Sequence, residues 1–395
     1  MAVVRDLGKS TSQSLTYEAY GLAEDYSQII TNISPDKTPF LSGLSEDSDA
    51  VSTGFSWTTE ALRPPQMNAH LEKEDYETRK VGSLRGLDNV VQIFHNTGWV
   101  SDTQRKAKKI YNQQDEFDRQ KTIAFKDHAR DIEYALVNGD VKRVGTGTVP
   151  ALTGGIPYFL KSESIACTLE VSTGIVTTTK HELDTGDFVY FTAETMPTGL
   201  TANTIYYVRK DAASPDSKFT IFDSMKGAVE NILSDQVKPT TAGVGLKMET
   251  QNIVDLGNSA YWTIDDVNAV MQMCYYRGGN PDKLWMSPKN KRRFSSLVTS
   301  LSTTQKKVGE KKGSIVADVL ETDYGVVTAM PHAWYSDKHI HVMDMEYFET
   351  KWFDRTHEVK DLGKKGNYSE FVIEGSVGLK GTQPLASGAI LNIKR

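Results

Sequence analysis

Between Ser101 and Gly139 the apolar residues Phe117, Ala124, Phe125, Ala129, Ile132, Ala135 and Leu136 recur at three- and four-residue steps. That period puts them on one stripe of a helix and predicts a single long helix. Ser101 with Gln104 has the form of a capping box, and Asn138-Gly139 reads as a left-handed stop. The pairs Asp115/Arg119, Asp127/Arg130 and Arg130/Glu133 stand at helix-neighbour spacing and mark a solvated face. If continuous, the helix would run roughly 54 Å, more than a compact domain needs. An elongated subunit is implied.

Elsewhere the period is two, the spacing of strands with one covered face. Gly54–Thr59 and Leu87–Phe94 alternate on either side of a long polar stretch, predicting a projecting hairpin that needs a neighbour to lie against, because two strands alone bury too little. Residues 165 to 248 are rich in Thr, Val and Gly, with strands expected at Phe188–Phe191, Thr204–Val208 and Lys218–Phe222 and turns at Asp184–Asp187, Pro197–Gly199 and Ser214–Asp216. This reads as an all-β module inserted in another domain. Thr263 caps a helix that stops at Gly278-Gly279, Lys283–Met286 is a strand, and Ser287-Pro288 opens a second helix. Beyond Gly313 strands dominate: Gly325–Thr328, His339–Val342, Phe348–Phe353, Ser369–Leu379 and Ala389–Ile393, the last expected at an edge.

At 395 residues two or more domains are expected. The net charge of −6 argues against a surface devoted to phosphate binding. Cys167 and Cys274 stand alone and read as buried thiols. No apolar run could cross a bilayer and the first residues lack a signal-peptide pattern, so synthesis in the cytosol and no membrane are expected. The glycines between Gly145 and Gly155 match no phosphate-binding spacing. His339 and His341, with Asp344 or Asp354, are the one metal-like grouping, but no third ligand stands at a diagnostic spacing. Ser287, Glu346 and Glu349 have no partners for nucleophilic or acid and base work. Lys306-Lys307 and Lys311-Lys312 form a basic segment that reads as a solvated loop at a subunit contact. No enzyme, cofactor or metal is expected. A metal-dependent enzyme at His339/His341 and a carbohydrate-binding virion protein led by Tyr206-Tyr207 stand as the alternatives, although a core pair explains the tyrosines better.

Three stretches carry a resemblance: Ile30 to Phe40 (Ile-x-Asn-Ile-Ser-Pro-x-x-Thr-Pro-Phe), Arg130 to Gly139, and Glu370 to Gly375. In this order and spacing the chain resembles tailed-bacteriophage major capsid proteins of the Hong Kong 97 type. The resemblance implies an α+β fold with residues 1–45 as N-terminal arm, 46–100 as extended hairpin loop, 101–164 as spine helix and first part of the peripheral domain, 165–250 as the inserted all-β domain, 251–330 as the axial domain and 331–395 as the remaining peripheral strands. The insert departs from the common pattern and is expected to be a surface decoration. Implied too are self-assembly as hexamers and pentamers into an icosahedral or prolate head around double-stranded DNA, with scaffolding, portal and decoration proteins as partners, assembly in the host cytoplasm, and no sequence-specific DNA contact. Expected subunit-contact residues are Phe40, Trp57, Arg63, Glu72, Lys73, Lys307 and Lys311. No motif supports a cross-linking role for Lys73 or Lys80, and a cleaved N-terminal scaffolding segment is not expected.

Overall fold

The computed structural model describes residues 37–107 except 61, 63, 64, 66, 71 and 74–83, residues 115–301 except 163, 182 and 203, and residues 318–359 and 366–394. The expected single helix is two. A short helix, Asp102–Lys106, ends where Ala107 turns extended, and the spine helix runs from Glu116 to Asn138. Its 23 residues span about 34 Å. Asp115 caps it by accepting from the Phe117 N–H, and the same carboxylate pairs with Arg105 at 3.2 Å, tying the two helices together. Ser101 accepts from Thr103 N–H, so the expected box with Gln104 is not made. Gly139 is extended, not left-handed. It is glycine for closeness instead: a Cβ there would lie 2.9 Å from the nitrogen of Gly155, whose N–H donates to the Gly139 carbonyl.

The buried face of the spine helix is His128, Ile132, Glu133, Leu136 and Val137. Phe125, expected in the stripe, is 37% exposed, whereas Glu133, expected on the solvated face, is fully buried. This face and Phe117 lie on a four-stranded sheet ordered Ser45–Glu46, Phe348–Glu358, Tyr368–Gly381, Gln92–Ser101. Phe117 meets Phe371 edge-on, and Gly98 leaves room for the Phe371 ring. Ile132, Leu136, Phe348, Val377 and Leu379 form one apolar core with Phe40 and Trp285. Each such side chain contributes about 1.5–3 kcal/mol by leaving water.

The hairpin pairs Gly54–Glu60 with Leu84–Val90. The expected strand 87–94 is broken at Val91, where the chain passes from the hairpin into the four-stranded sheet. Val91 N–H bonds back to the Thr53 carbonyl, which fixes the crossing.

A six-stranded sheet, ordered Ile253–Asp255, Gly388–Leu391, Ile340–Met343, Lys283–Met286, Gly325–Pro331, Val319–Thr322, packs with helices Ile264–Tyr276 and Pro288–Leu301. Thr263 closes a full capping box with Asp266. One sequence expectation changes here. Gly388–Leu391 is an interior strand, not an edge, and it and Ile340–Met343 both lie in this sheet. Residues 165–249 form a closed barrel of six strands. Its inner residues, including Phe191, Tyr206, Phe219 and Met248, fill its own core. Phe188 and Tyr190 instead belong to the core of the six-stranded sheet, with Trp262, Val267 and Val270. The barrel therefore shares apolar packing with the body.

Candidate intersubunit surface

The arm root is clasped from inside. Pro39–Gly43 is a one-turn helix whose first N–H groups lack partners of their own, as at any helix start. Glu133 supplies them: its carboxylate accepts from Phe40 N–H at 2.9 Å and Leu41 N–H at 2.7 Å, and from His332 Nε2 at 2.8 Å. His332 Nδ1 accepts from Trp334 N–H, so the ring proton sits on Nε2 and points at the carboxylate. Phe40 is fully buried and meets Trp285 edge-on. It is a core anchor, which removes it from the expected subunit contacts.

Beyond the root, charges zip the next residues to Phe348–Glu358. Ser45 and Glu46 pair in parallel with Glu349 and Thr350. Lys351 and Lys380 reach Asp47 at 2.8 and 2.9 Å, and Arg355 reaches Glu46 and Asp49. Burial alone would raise the Asp47 carboxyl, but hydrogen bonds from Lys351, Lys380 and Ser48 N–H outweigh it and hold the group far below the usual range.

The hairpin is fastened at its base by Asn89, which is buried. Its side-chain amide donates to the carbonyls of Gly154 and Leu379, and its oxygen accepts from Gly154 N–H. Nothing in the local pattern distinguishes this Asn from a turn residue, so sequence reasoning missed it. Trp57 donates to the Gly381 carbonyl at 2.9 Å and stacks on Phe55, which places it at the hairpin base within its own subunit. Farther out the hairpin shows Leu62, Met67 and Leu84 at 93, 82 and 66% exposure. Glu72 and Lys73 sit exposed in a turn, with Lys73 at φ 69°. Arg63, Lys80, Lys307 and Lys311, and the arm up to residue 36, lie outside the described residues.

The histidine pair forms no open site. His341 lies in a buried strand and its Nδ1 bonds the Tyr335 hydroxyl, while burial, with His339 adding to it, brings its pKa down to about 3. His339 immediately precedes the strand, and its ring lies beside that of His341 with centroids 6.3 Å apart. Tyr206 is buried in the barrel core, and Tyr207 meets Tyr276 edge-on at the seam with the body. A concavity of about 360 Å³ beside the spine helix is lined by Asn96, Asp127, Arg130, Asp131, Tyr134 and Trp334. Its polar groups are largely spent on one another, Arg130 on Asp127 and Asn96 on Asp131, with the Arg130 guanidinium over the Trp334 ring. No helix among the described residues is long and apolar enough to cross a membrane.

Comparison with known proteins gives a consistent result. A family model described as SU10 major capsid protein matches residues 9–394. The major capsid protein of Escherichia phage Phieco32 is 22% identical over 391 residues, covering 95% of this chain and 96% of that one. Among solved structures, a chain of the cyanophage A-1(L) capsid asymmetric unit aligns with a TM-score of 0.55 at 10% identity, over 96% of this chain and 99% of the other. A chain from the capsid of a native GTA particle aligns with a TM-score of 0.52 at 10% identity, over 98% and 100%. The fold is the Hong Kong 97-like capsid fold, mixed α and β, and it carries a small barrel.

Proposed function

The chain belongs to the SU10 major capsid protein family, and on that premise we propose that its copies close as hexamers and pentamers into an icosahedral or prolate head enclosing double-stranded phage DNA. A major capsid protein is a structural protein of the virion that contacts copies of itself. In the finer reading, residues 1–45 and 46–100 are the arms that reach neighbours, 101–164 and the strands of the four-stranded sheet form the peripheral part, 251–330 leads the axial part, and the barrel of 165–250 stands on the outer surface. Scaffolding, portal and decoration proteins are the further partners, assembly takes place in the host cytoplasm, and the shell performs no catalysis. The acidic net charge of −6, from 51 acidic against 45 basic side chains, suits a container whose DNA must move during packing.

The observation that carries this reading is the hairpin. It is fastened at its base by Asn89 and Trp57 and presents Leu62, Met67 and Leu84 almost bare. Large apolar side chains left open to solvent along one arm suit a surface that a partner covers. Specific interfaces bury on the order of 1,200 Å² or more, and an arm that reaches past its own body adds such area at little cost to the core. Arg63, Glu72 and Lys73, between the two hairpin strands in sequence, and Lys307 and Lys311 in the basic segment are the polar contacts we assign to neighbours. The test is the double substitution Leu62→Asp with Met67→Asp, read by sedimentation and negative-stain microscopy. A folded subunit with few shells, tubes or capsomer rings is expected, and particles at parental yield would overturn the assignment.

A further inference from the structure

The four-stranded sheet has a second face, turned away from the spine helix. Phe371 meets Phe117 of that helix, and a Cβ on Gly375 would lie 3.0 Å from His128 Nε2, so the odd-numbered residues of Tyr368–Gly381 face the helix. Glu374 therefore faces outward. Its partners in register are His95 on one neighbouring strand and His357 on the other. Partners directly opposite share a face, so the three side chains stand in one row across three strands.

A bulge extends the row. In a regular strand Asp354 and His357 would point to opposite faces, but the register slips between them: Asp354 pairs with Ser376 and His357 with Glu374. Both consequently face outward, and Asp354 Oδ2 lies 3.5 Å from His357 Nδ1, each side chain about half exposed. His95 is exposed and Glu374 partly so.

We propose that His95, Glu374 and His357, with Asp354 beside them, bind one divalent transition-metal ion of the zinc class on this outer face. Neighbouring strands lie about 4.8 Å apart, so the two imidazoles flank the carboxylate from roughly 10 Å apart at their roots. An imidazole nitrogen reaches far enough from its Cβ for both rings to lean over Glu374 and meet an ion at about 2.0–2.1 Å. Two imidazoles and carboxylate oxygens suit zinc, cobalt, nickel or copper better than magnesium or calcium, which prefer all-oxygen shells. Among the described residues no three such side chains are already gathered around one point. His357 Nδ1 rests 3.0 Å from the Arg355 carbonyl, and rotation of this exposed ring completes the set. The contrast with His339 and His341 is steric: His341 is sealed in the core and bonded to Tyr335, whereas the row on the sheet opens to solvent. A bound ion would pin three strands together next to the hairpin base.

The test uses the untagged full chain, stripped with a chelator and titrated with Co²⁺, followed by Zn²⁺ competition. One Co²⁺ per chain is expected, with visible absorption that Zn²⁺ abolishes. His95→Ala, His357→Ala and Glu374→Gln should each weaken binding about tenfold or more, within the range reported for perturbing a metal site. His339→Ala should leave it unchanged. Circular dichroism in chelator checks that the variants, all at surface positions, keep the parental fold. Absence of stoichiometric uptake by the parent, or equal uptake by a folded His95→Ala, His357→Ala double variant, overturns the site.

Discussion

Replacing Glu133 by Ala should loosen the arm root and the spine helix together. The substitution strips the acceptor from Phe40 N–H, Leu41 N–H and His332 Nε2, at 2.9, 2.7 and 2.8 Å, in a place where the carboxylate has no solvent exposure. Each buried donor left unpaired costs about 1–3 kcal/mol. Three such orphans at the low end of that range come to about 3 kcal/mol. Glu133→Gln keeps one accepting oxygen but turns an amide toward a donor, so its loss should be smaller, about 1–3 kcal/mol. Trp285, which touches Phe40, reports on the site, and guanidinium unfolding followed by tryptophan fluorescence measures the change. Trypsin cleavage after the exposed Lys37 measures arm release and should speed up in Glu133→Ala. An unfolding free energy within about 0.5 kcal/mol of the parent, the scatter of neutral surface changes, with unaltered cleavage at Lys37, would refute the clasp.

Other substitutions probe the remaining joints. Ile132→Ala, at 1% exposure, should cost about 2–5 kcal/mol by denaturation and lower particle yield by sedimentation. Gly155→Ala would put a Cβ within 2.8 Å of the Ala135 oxygen and nearer still to that of Leu136, so a loss of about 1–3 kcal/mol in the same assay is expected. Deleting 165–248 behind a short linker removes Phe188 and Tyr190 from the core of the six-stranded sheet, and the product should bind hydrophobic dye or precipitate where the parent stays soluble. For pH, the folded His341 sits at about 3 against an unfolded value of about 6.5. The unfolded chain then binds the extra proton in that window, so stability is full above it and is lost as pH falls from about 6.5 toward 3. Thermal melts of His341→Gln should show a shallower slope there, and an unchanged slope would rule out the buried neutral imidazole as its source.

Period and turn chemistry by themselves placed the spine helix and the clearest strands, though not the break before Glu116 or the one at Val91. The Thr263 cap, the strand Lys218–Phe222 and the strands from Phe348 onward follow from local rules, because a helix start or an alternating strand needs only its own neighbours in the chain. The resemblance carried by Arg130 to Gly139 and Glu370 to Gly375 was legible for a related reason: those residues lie in the spine helix and the long strand on which it packs. Tertiary structure decided the rest. Glu133 looks like a surface charge at helix spacing and Phe40 like an arm residue, and each becomes core only because the other is brought to it from 93 positions away. A carboxylate tolerates full burial when distant N–H groups converge on it, and no local pattern encodes that convergence. Asn89 at the hairpin base and Phe188 in a core shared with another sheet follow the same logic. So does the row of His95, Glu374 and His357, which lie on three separate strands and meet only through register. Sequence fixes a side chain's face within its own element, whereas its neighbours across elements are set by packing and strand pairing, whose partners lie tens to hundreds of residues away.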